Sequence, residues 1–186
     1  YRFSKGDVVH PVNNLGKNMQ LAVNSAIFKS SIILNNKITF NDKIKPNFED
    51  AHFVSKYLYN FTNEKVAFLK KAKYFYRKRS DGTSTLDTSW EKKGLYDTVL
   101  EHGCLNLLED YAVKYGRVQD RMQVTVLYHL IWYIKKIVNN NHVISFLTDA
   151  EKDKFKSLMF DIFNYIDEKT IIEFNLGGAW FFHKVG

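Results

Sequence analysis

The spacing of apolar residues changes near residue 84, and this change constrains the fold more than any other feature of the 186-residue chain. Upstream, short apolar runs are separated by turn-forming residues, which is typical of short strands with one or two helices. Downstream, from Leu86 to the end, apolar residues recur at helical spacing and no segment has a strand pattern. The pattern predicts an α/β portion at residues 1–88 followed by an all-α helical portion at residues 89–186.

Four helices are predicted in the second portion. Their approximate ranges are 90–116, 120–138, 149–166 and 171–174. Gly116 is a plausible stop for the first helix, and Thr148 with Glu151 forms a capping-box pattern before the third. The apolar run 124–138 is shorter than the ~20 residues that a membrane span requires. We therefore predict a buried helix that is also a candidate for contact with a membrane surface.

The first portion combines short strands with two helices. The predicted strands are Asp7–Val12, Gln20–Phe28, the alternating Ile38 and Phe40, Val66–Leu69 and Ala72–Arg77. The predicted helices are Ser30–Leu34 and a longer one from Glu49 to about Asn60. Regular βαβ units are too few here for a complete nucleotide-binding sheet.

Two adjacent carboxylates, Glu49 and Asp50, stand at the start of the longer helix. The partial positive charge of a helix N-terminus stabilises a carboxylate there, and a fixed, ionised carboxylate is what a general base requires. Consecutive helical side chains point about 100° apart, so one can face a substrate while the other anchors structure. We interpret Asp50 as the base and Glu49 as its supporting neighbour. Acids are also common at helix N-termini for electrostatic reasons alone.

A basic loop follows the last predicted strand and contains Arg77, Lys78, Arg79 and Ser84. Arginine offers a fork of donors that matches phosphate oxygens, and Gly82 permits a tight turn. The loop is therefore a candidate clamp for a diphosphate. A solvated basic loop after an edge strand is the competing interpretation.

The net charge indicates which class of partner the chain could bind. The formal net charge of +7 favours an anionic partner without distinguishing nucleic acid, lipid and phosphorylated ligands. No recognisable nucleic-acid motif accompanies the basic residues, so we expect no nucleic acid as a partner.

The single cysteine, Cys104, excludes an internal disulfide and favours a reducing, cytoplasmic compartment. No Cys/His spacing predicts a metal site, although His52 is a candidate for substrate binding.

Four motifs in order resemble family 2 glycosyltransferases, in the second half of their GT-A catalytic domain. They are Asn24–Lys29, Phe40–Asn41, Glu49–Phe53 and Tyr74–Ser84. The resemblance is strongest to bacterial enzymes that build teichoic acids and similar capsule polymers. Residues 115–132 look similar, more weakly, to a helical segment that follows the catalytic domain there. The resemblance implies a partial GT-A domain with a mixed sheet and a helical extension.

The activity implied is an inverting transfer of a sugar from a nucleotide-sugar donor to a polyol-phosphate or polysaccharide acceptor. The resemblance makes Asp50 the base, places the loop of Arg77, Arg79 and Ser84 over the donor diphosphate, and puts Asn24 in the acceptor site. It also implies a Mn²⁺ or Mg²⁺ ion, whose DxD-like ligand motif does not occur in the sequence.

We therefore expect that the chain is a piece of a longer polypeptide, since it also starts without Met at Tyr1. The predicted location is the cytoplasm, and a peripheral position at the inner face of the cell membrane is a candidate. The alternative function is a non-catalytic basic module that binds an anionic polymer or a membrane surface.

Overall fold

The computed structural model describes residues 6–16, 18–61, 63–75 and 88–185. Two strands form an antiparallel pair, β1 at Val8–Pro11 and β2 at Lys65–Phe68, with Val8 opposite Phe68. Both strands were predicted. The mixed sheet of a GT-A domain is larger than this pair, and that class stays a prediction.

Three other predicted strands are wrong within the described residues. The segment 20–28 is irregular apart from a 3₁₀ turn at Val23–Ser25, and residues 38–40 and 72–75 lie in no strand. Ile38 is buried in a hydrophobic cluster, and the ring of Phe40 stacks on Phe53 with 4.6 Å between centroids. An alternating pattern of apolar and polar residues indicates which side chains face the core. It does not show that the segment has a hydrogen-bonded neighbour, which a strand also requires.

The first portion contains the two helices that its sequence predicts. Helix α1 spans Ser30–Asn35 and α2 spans Glu49–Tyr59. In α2, apolar side chains at helical spacing, including Phe53, Val54 and Tyr57, are buried. Helix α2 is therefore the element around which the first portion packs.

The described residues of the second portion form helices joined by turns and loops, with no strand among them. Its helices are α3 at Lys93–Tyr96, a π-helix at Val99–Leu105, α4 at Asn106–Tyr115, α5 at Asp120–Ile137, α6 at Asp149–Phe163, α7 at Glu168–Glu173 and α8 at Phe182–Val185, with 3₁₀ turns at Ser89–Glu91 and Asn141–Ile144. The predicted capping box exists. The Thr148 hydroxyl accepts from the Glu151 amide at 3.3 Å, and the Glu151 carboxylate accepts from the Thr148 amide at 2.8 Å.

The first predicted helix of this portion is not continuous. The backbone leaves helical geometry at Asp97, where ψ is −87°, and then widens into the π-helix before α4 begins. Gly116 ends α4 in a left-handed conformation with φ of 72°, as predicted. Close to the break, this segment packs tightly against residues 44–48: a side chain at Gly94 would lie 2.6 Å from the Lys45 carbonyl oxygen.

Two hydrophobic clusters make up the interior. The smaller cluster joins the strand pair to one side of α2 through residues such as Val12, Phe53 and Phe68. The larger cluster is built from the helical portion but includes Ile44, Phe48 and Ala51. Helix α2 therefore contributes to both clusters. The predicted division at residue 88 stays a prediction, but the core is continuous across it.

Candidate functional site

The site begins at Phe48, the residue before α2, whose φ of 76° is left-handed. A bulky residue rarely adopts this conformation, which costs on the order of 1–3 kcal/mol. The Phe48 ring offsets that cost by its burial. It lies 4.5 Å from the His129 ring and packs against Gly103, where a Cβ would approach it to 3.0 Å. The ring thereby fixes the direction in which α2 leaves the core.

The other end of α2 is held by side chains from α4 and α5. Tyr111 Oη donates to the Ser55 carbonyl at 2.8 Å, and Tyr115 Oη donates to the Tyr59 carbonyl at 2.8 Å. Lys114 also donates to the Tyr59 carbonyl, and Arg121 donates to the Leu58 carbonyl at 3.4 Å. The terminal carbonyls of a helix have no intrahelical partners, and cations are favourable beside them. Side chains of the helical portion therefore hold the C-terminal end of α2 by hydrogen bonds to its carbonyl groups.

Asp50 is anchored to the segment that contains Asn24. Its Oδ2 accepts a hydrogen bond from the Val23 amide at 3.0 Å. Asn24 itself is exposed in the adjoining 3₁₀ turn. The structure therefore brings these two predicted site residues into neighbouring positions, although they are separated by 26 positions in the sequence.

Glu49 points elsewhere, into a cavity of about 800 Å³ between the start of α2 and the start of α3. Its Oε2 is buried and has no hydrogen-bond partner within the described part of the chain. Burial raises the pKa of this carboxyl, and the nearby charge of Asp50 raises it further, while a backbone hydrogen bond opposes the shift. A carboxyl group whose pKa is raised by burial at the edge of a cavity is a candidate for a functional role.

The rest of the cavity wall combines apolar and polar groups. An aromatic face, an amide, a hydroxyl and charges of both signs surround the space. The remaining lining residues are Phe40, Asn41, Asp42, Ile44, Lys45, Pro46, Glu91, Lys92, Lys93, Gly94 and Thr98. Lys93 pairs with Glu151 at 2.6 Å, so its charge is partly neutralised. Such a wall suits a polyhydroxylated ligand, which presents both carbon faces and hydroxyl groups.

Sequence reasoning did not assign a role to most of this wall. Phe40 and Asn41 belong to a motif of the resemblance, which was a usable signal. Lys92 and Lys93 carried no such signal in the sequence. They line the same cavity as Glu49 because Gly94 packs closely against the Lys45 carbonyl.

His52 lies in the interior and does not line the cavity. Its side chain is buried, and Nδ1 has no hydrogen-bond partner among the described residues. Burial lowers the pKa of His52 to about 4, assisted by the charge of Lys56 and opposed by that of Asp110. The imidazole is therefore neutral at physiological pH. Its predicted role in acceptor binding stays a prediction.

The predicted diphosphate clamp cannot be located in the same way. Arg77, Lys78, Arg79 and Ser84 lie outside the described residues. Their assignment stays a prediction from the sequence.

The divalent cation implied by the resemblance has no evident ligand set in the part of the chain that is described. No group of three or more His, Cys, Asp or Glu side chains there could hold a metal ion. We therefore assign no residue and no step to such an ion.

Across the described ranges, no helix combines the length and the apolar character needed to traverse a lipid bilayer.

Cys104 is a buried free thiol whose pKa is raised by burial. It is a core residue and takes no part in the site.

The chain is similar to two teichoic acid biosynthesis proteins. The minor teichoic acid biosynthesis protein GgaA of Bacillus subtilis (strain 168) is 27% identical over 172 residues, which are 92% of this chain and 37% of GgaA. The minor teichoic acid biosynthesis protein GgaB of the same organism is 28% identical over 149 residues, which are 80% of this chain and 16% of GgaB. The chain therefore spans less than two fifths of the length of either curated relative.

No protein-family model matches the chain, and no solved structure matches it. The two relatives support the coarser part of the sequence-based expectation, a connection with cell-wall polymer synthesis.

Proposed function

We propose that this chain is the acceptor-binding part of an inverting GT-A glycosyltransferase that acts in the synthesis of a teichoic-acid-type polymer. The observation that carries the proposal is the cavity of about 800 Å³ at the N-terminus of α2, which Glu49 lines and which Asp50, the next residue in the helix, does not line. The names of GgaA and GgaB give the polymer class. The donor is a nucleotide sugar, and the acceptor is a polyol-phosphate or polysaccharide hydroxyl.

In the proposed reaction the acceptor hydroxyl attacks the anomeric carbon of the donor sugar. A carboxylate takes the hydroxyl proton while a new carbon–oxygen bond forms. The bond from the anomeric carbon to the diphosphate breaks, and the nucleoside diphosphate leaves with the electron pair. Attack from the opposite face inverts the anomeric centre. The loop of Arg77, Lys78, Arg79 and Ser84 is proposed to hold the diphosphate.

The two carboxylates divide the work in this proposal. Asp50 is proposed as the base, with its orientation set by the Val23 amide at 3.0 Å. Glu49 lines the cavity and is proposed to hold the acceptor hydroxyl. Asn24, beside Val23, is proposed to bind the acceptor from the other side of Asp50.

The test compares Asp50→Asn and Glu49→Gln in the complete polypeptide with a panel of nucleotide sugars. Asp50→Asn should lower kcat by about 10²–10⁴-fold, the usual contribution of a general base. Glu49→Gln should mainly raise KM for the acceptor. Asp42→Asn is a matched control, because it removes an exposed carboxylate from the wall of the same cavity.

Each outcome has a defined meaning. Near wild-type turnover of Asp50→Asn, with loss of turnover in Glu49→Gln, would transfer the role of base to Glu49. Full turnover in both variants, with salt-sensitive polymer binding that depends on lysine and arginine residues, would support the non-catalytic module instead.

A further inference from the structure

Exposed large apolar residues lie near the end of α5, and none of them lines the cavity. Trp180, Phe181 and Phe182 are 69%, 76% and 65% exposed, and Trp132 on α5 and Ile172 on α7 are also exposed. We name these five residues the aromatic patch. Single exposed apolar residues are ordinary, but a contiguous group of large ones marks an interaction site.

Three contacts hold the segments that carry the patch residues next to one another. The loop before Trp180 packs on α5, where a Cβ at Gly177 would lie 3.8 Å from the Trp132 ring. Lys184 Nζ donates to the Ile172 carbonyl at 2.6 Å, which ties α8 to the end of α7. The Trp180 amide donates to His183 Nδ1 at 2.9 Å and fixes the turn that presents the two phenylalanines.

Three lysines, Lys135, Lys136 and Lys184, accompany the patch. Lys135 lies 5.2 Å from the Trp132 ring centroid and donates to the Gly177 carbonyl at 3.0 Å. Lys136 is four positions after Trp132 and shares its helix face. Among the described residues none of the three forms an ion pair, and the nearby Glu173 pairs with Lys169 at 4.0 Å. The surface therefore combines large apolar side chains with three lysines that form no ion pair within the described ranges.

We propose that the aromatic patch docks on the headgroup region of an anionic lipid bilayer. Tryptophan and phenylalanine rings enter the boundary between headgroups and acyl chains, while lysines extend their ammonium groups to anionic headgroups. The phenylalanines argue against a polyanion such as a sugar-phosphate polymer, because their rings form no hydrogen bonds with it. A second copy in a symmetric interface would bring the three lysines against themselves. The charge therefore fits an anionic surface best.

The test measures binding of the complete polypeptide to phosphatidylcholine vesicles with and without phosphatidylglycerol. Binding should require phosphatidylglycerol and should weaken as salt is raised. Phe181→Ser and Phe182→Ser should each weaken binding at least about tenfold, and Lys136→Gln should weaken it roughly fivefold. Brominated lipid should quench tryptophan fluorescence less in Trp180→Phe than in the wild type.

A matched control is available on α6. Phe160 is 68% exposed, and Lys156 is one helical turn away from it and paired with Asp153. Phe160→Ser and Lys156→Gln should leave vesicle binding unchanged.

Three results would overturn the proposal. They are binding that is equal for neutral and anionic vesicles, no binding at all, and equal losses in the control and patch variants. A lower melting temperature of Phe181→Ser in the complete polypeptide would instead assign the patch to an internal domain contact, and a change in its oligomeric state would assign it to self-association. Sugar transfer is not measured here, so failure of this proposal leaves the proposed function standing.

Discussion

At the scale of single residues, the candidate site depends on one unfavourable backbone conformation. Phe48 has a left-handed φ of 76° directly before Glu49. Its ring occupies a space that exists only because residue 103 is glycine and His129 lies on the other side. The direction of the two carboxylates is therefore set by a contact between residues 55 positions apart in the chain.

Gly103→Ala should destabilise the protein by about 1–2 kcal/mol, because its Cβ would lie 3.0 Å from the Phe48 ring and 3.5 Å from Ile44. Helix propensity alone predicts the opposite sign, a gain of roughly 0.5–1 kcal/mol. Urea denaturation measures the free energy of unfolding. In a Phe48→Leu background the cost should shrink by at least about 0.5 kcal/mol. A stabilised Gly103→Ala variant would show that the ring does not depend on this space.

At the scale of elements, α2 is stabilised at both ends by complementary charge. Glu49 and Asp50 lie in its first turn, and Lys114 and Arg121 donate to carbonyls in its last turn. The acids were visible in the sequence beside the helix that they stabilise. The cations were not, because they come from α4 and α5, more than 50 positions downstream.

Tyr111→Phe should destabilise the protein by about 1–2 kcal/mol, since it removes the buried hydrogen bond to the Ser55 carbonyl. Tyr115→Phe is the matched control. It removes a similar bond to the Tyr59 carbonyl, which is only part-buried and keeps the bond from Lys114. Its cost should be below about 1 kcal/mol. Equal losses of unfolding free energy in urea would show that burial does not decide the strength of this attachment.

The bounds of single elements were predictable to different degrees. Helices α2, α5 and α6 match the predicted ranges closely, because apolar periodicity and caps are local signals. The interruption between α3 and α4 was not predictable, because apolar spacing is nearly the same in a continuous helix and in one that contains a π-helix. Residues 44–48 pack closely against Gly94 in α3 and Gly103 in the π-helix, and this contact is not visible in the local sequence.

At the scale of the whole molecule, α2 joins two hydrophobic clusters, and one buried and one partly buried imidazole lie near this junction. His52 is in α2, and His129 in α5 contacts both Phe48 and the Tyr133 hydroxyl, the latter at 3.2 Å. Burial lowers the pKa of His52 to about 4 and that of His129 to about 3. His129 keeps some contact with solvent, so we expect a smaller contribution from it.

Stability should fall as the pH is lowered from about 6.5 towards 4. In this window the unfolded chain binds protons at both histidines while the folded protein does not. The slope contributed by His52 should be at most about 1.4 kcal/mol per pH unit, with no contribution from it above its unfolded pKa. Urea denaturation between pH 7 and pH 4.5 measures the slope. His52→Leu and His129→Leu should each reduce it, and an unchanged slope in both would contradict burial as its cause.

The sequence by itself determined the helical second portion, the two strands of the pair, the start of α2 and the presence of two carboxylates there. These features depend on periodicity, caps and helix-end charge, all of which act within a few residues. Tertiary structure alone decided that Glu49 enters the cavity while Asp50 binds the Val23 amide, and that His52 is buried. Those outcomes depend on which distant segments pack against α2, and no local pattern in the chain carries that information.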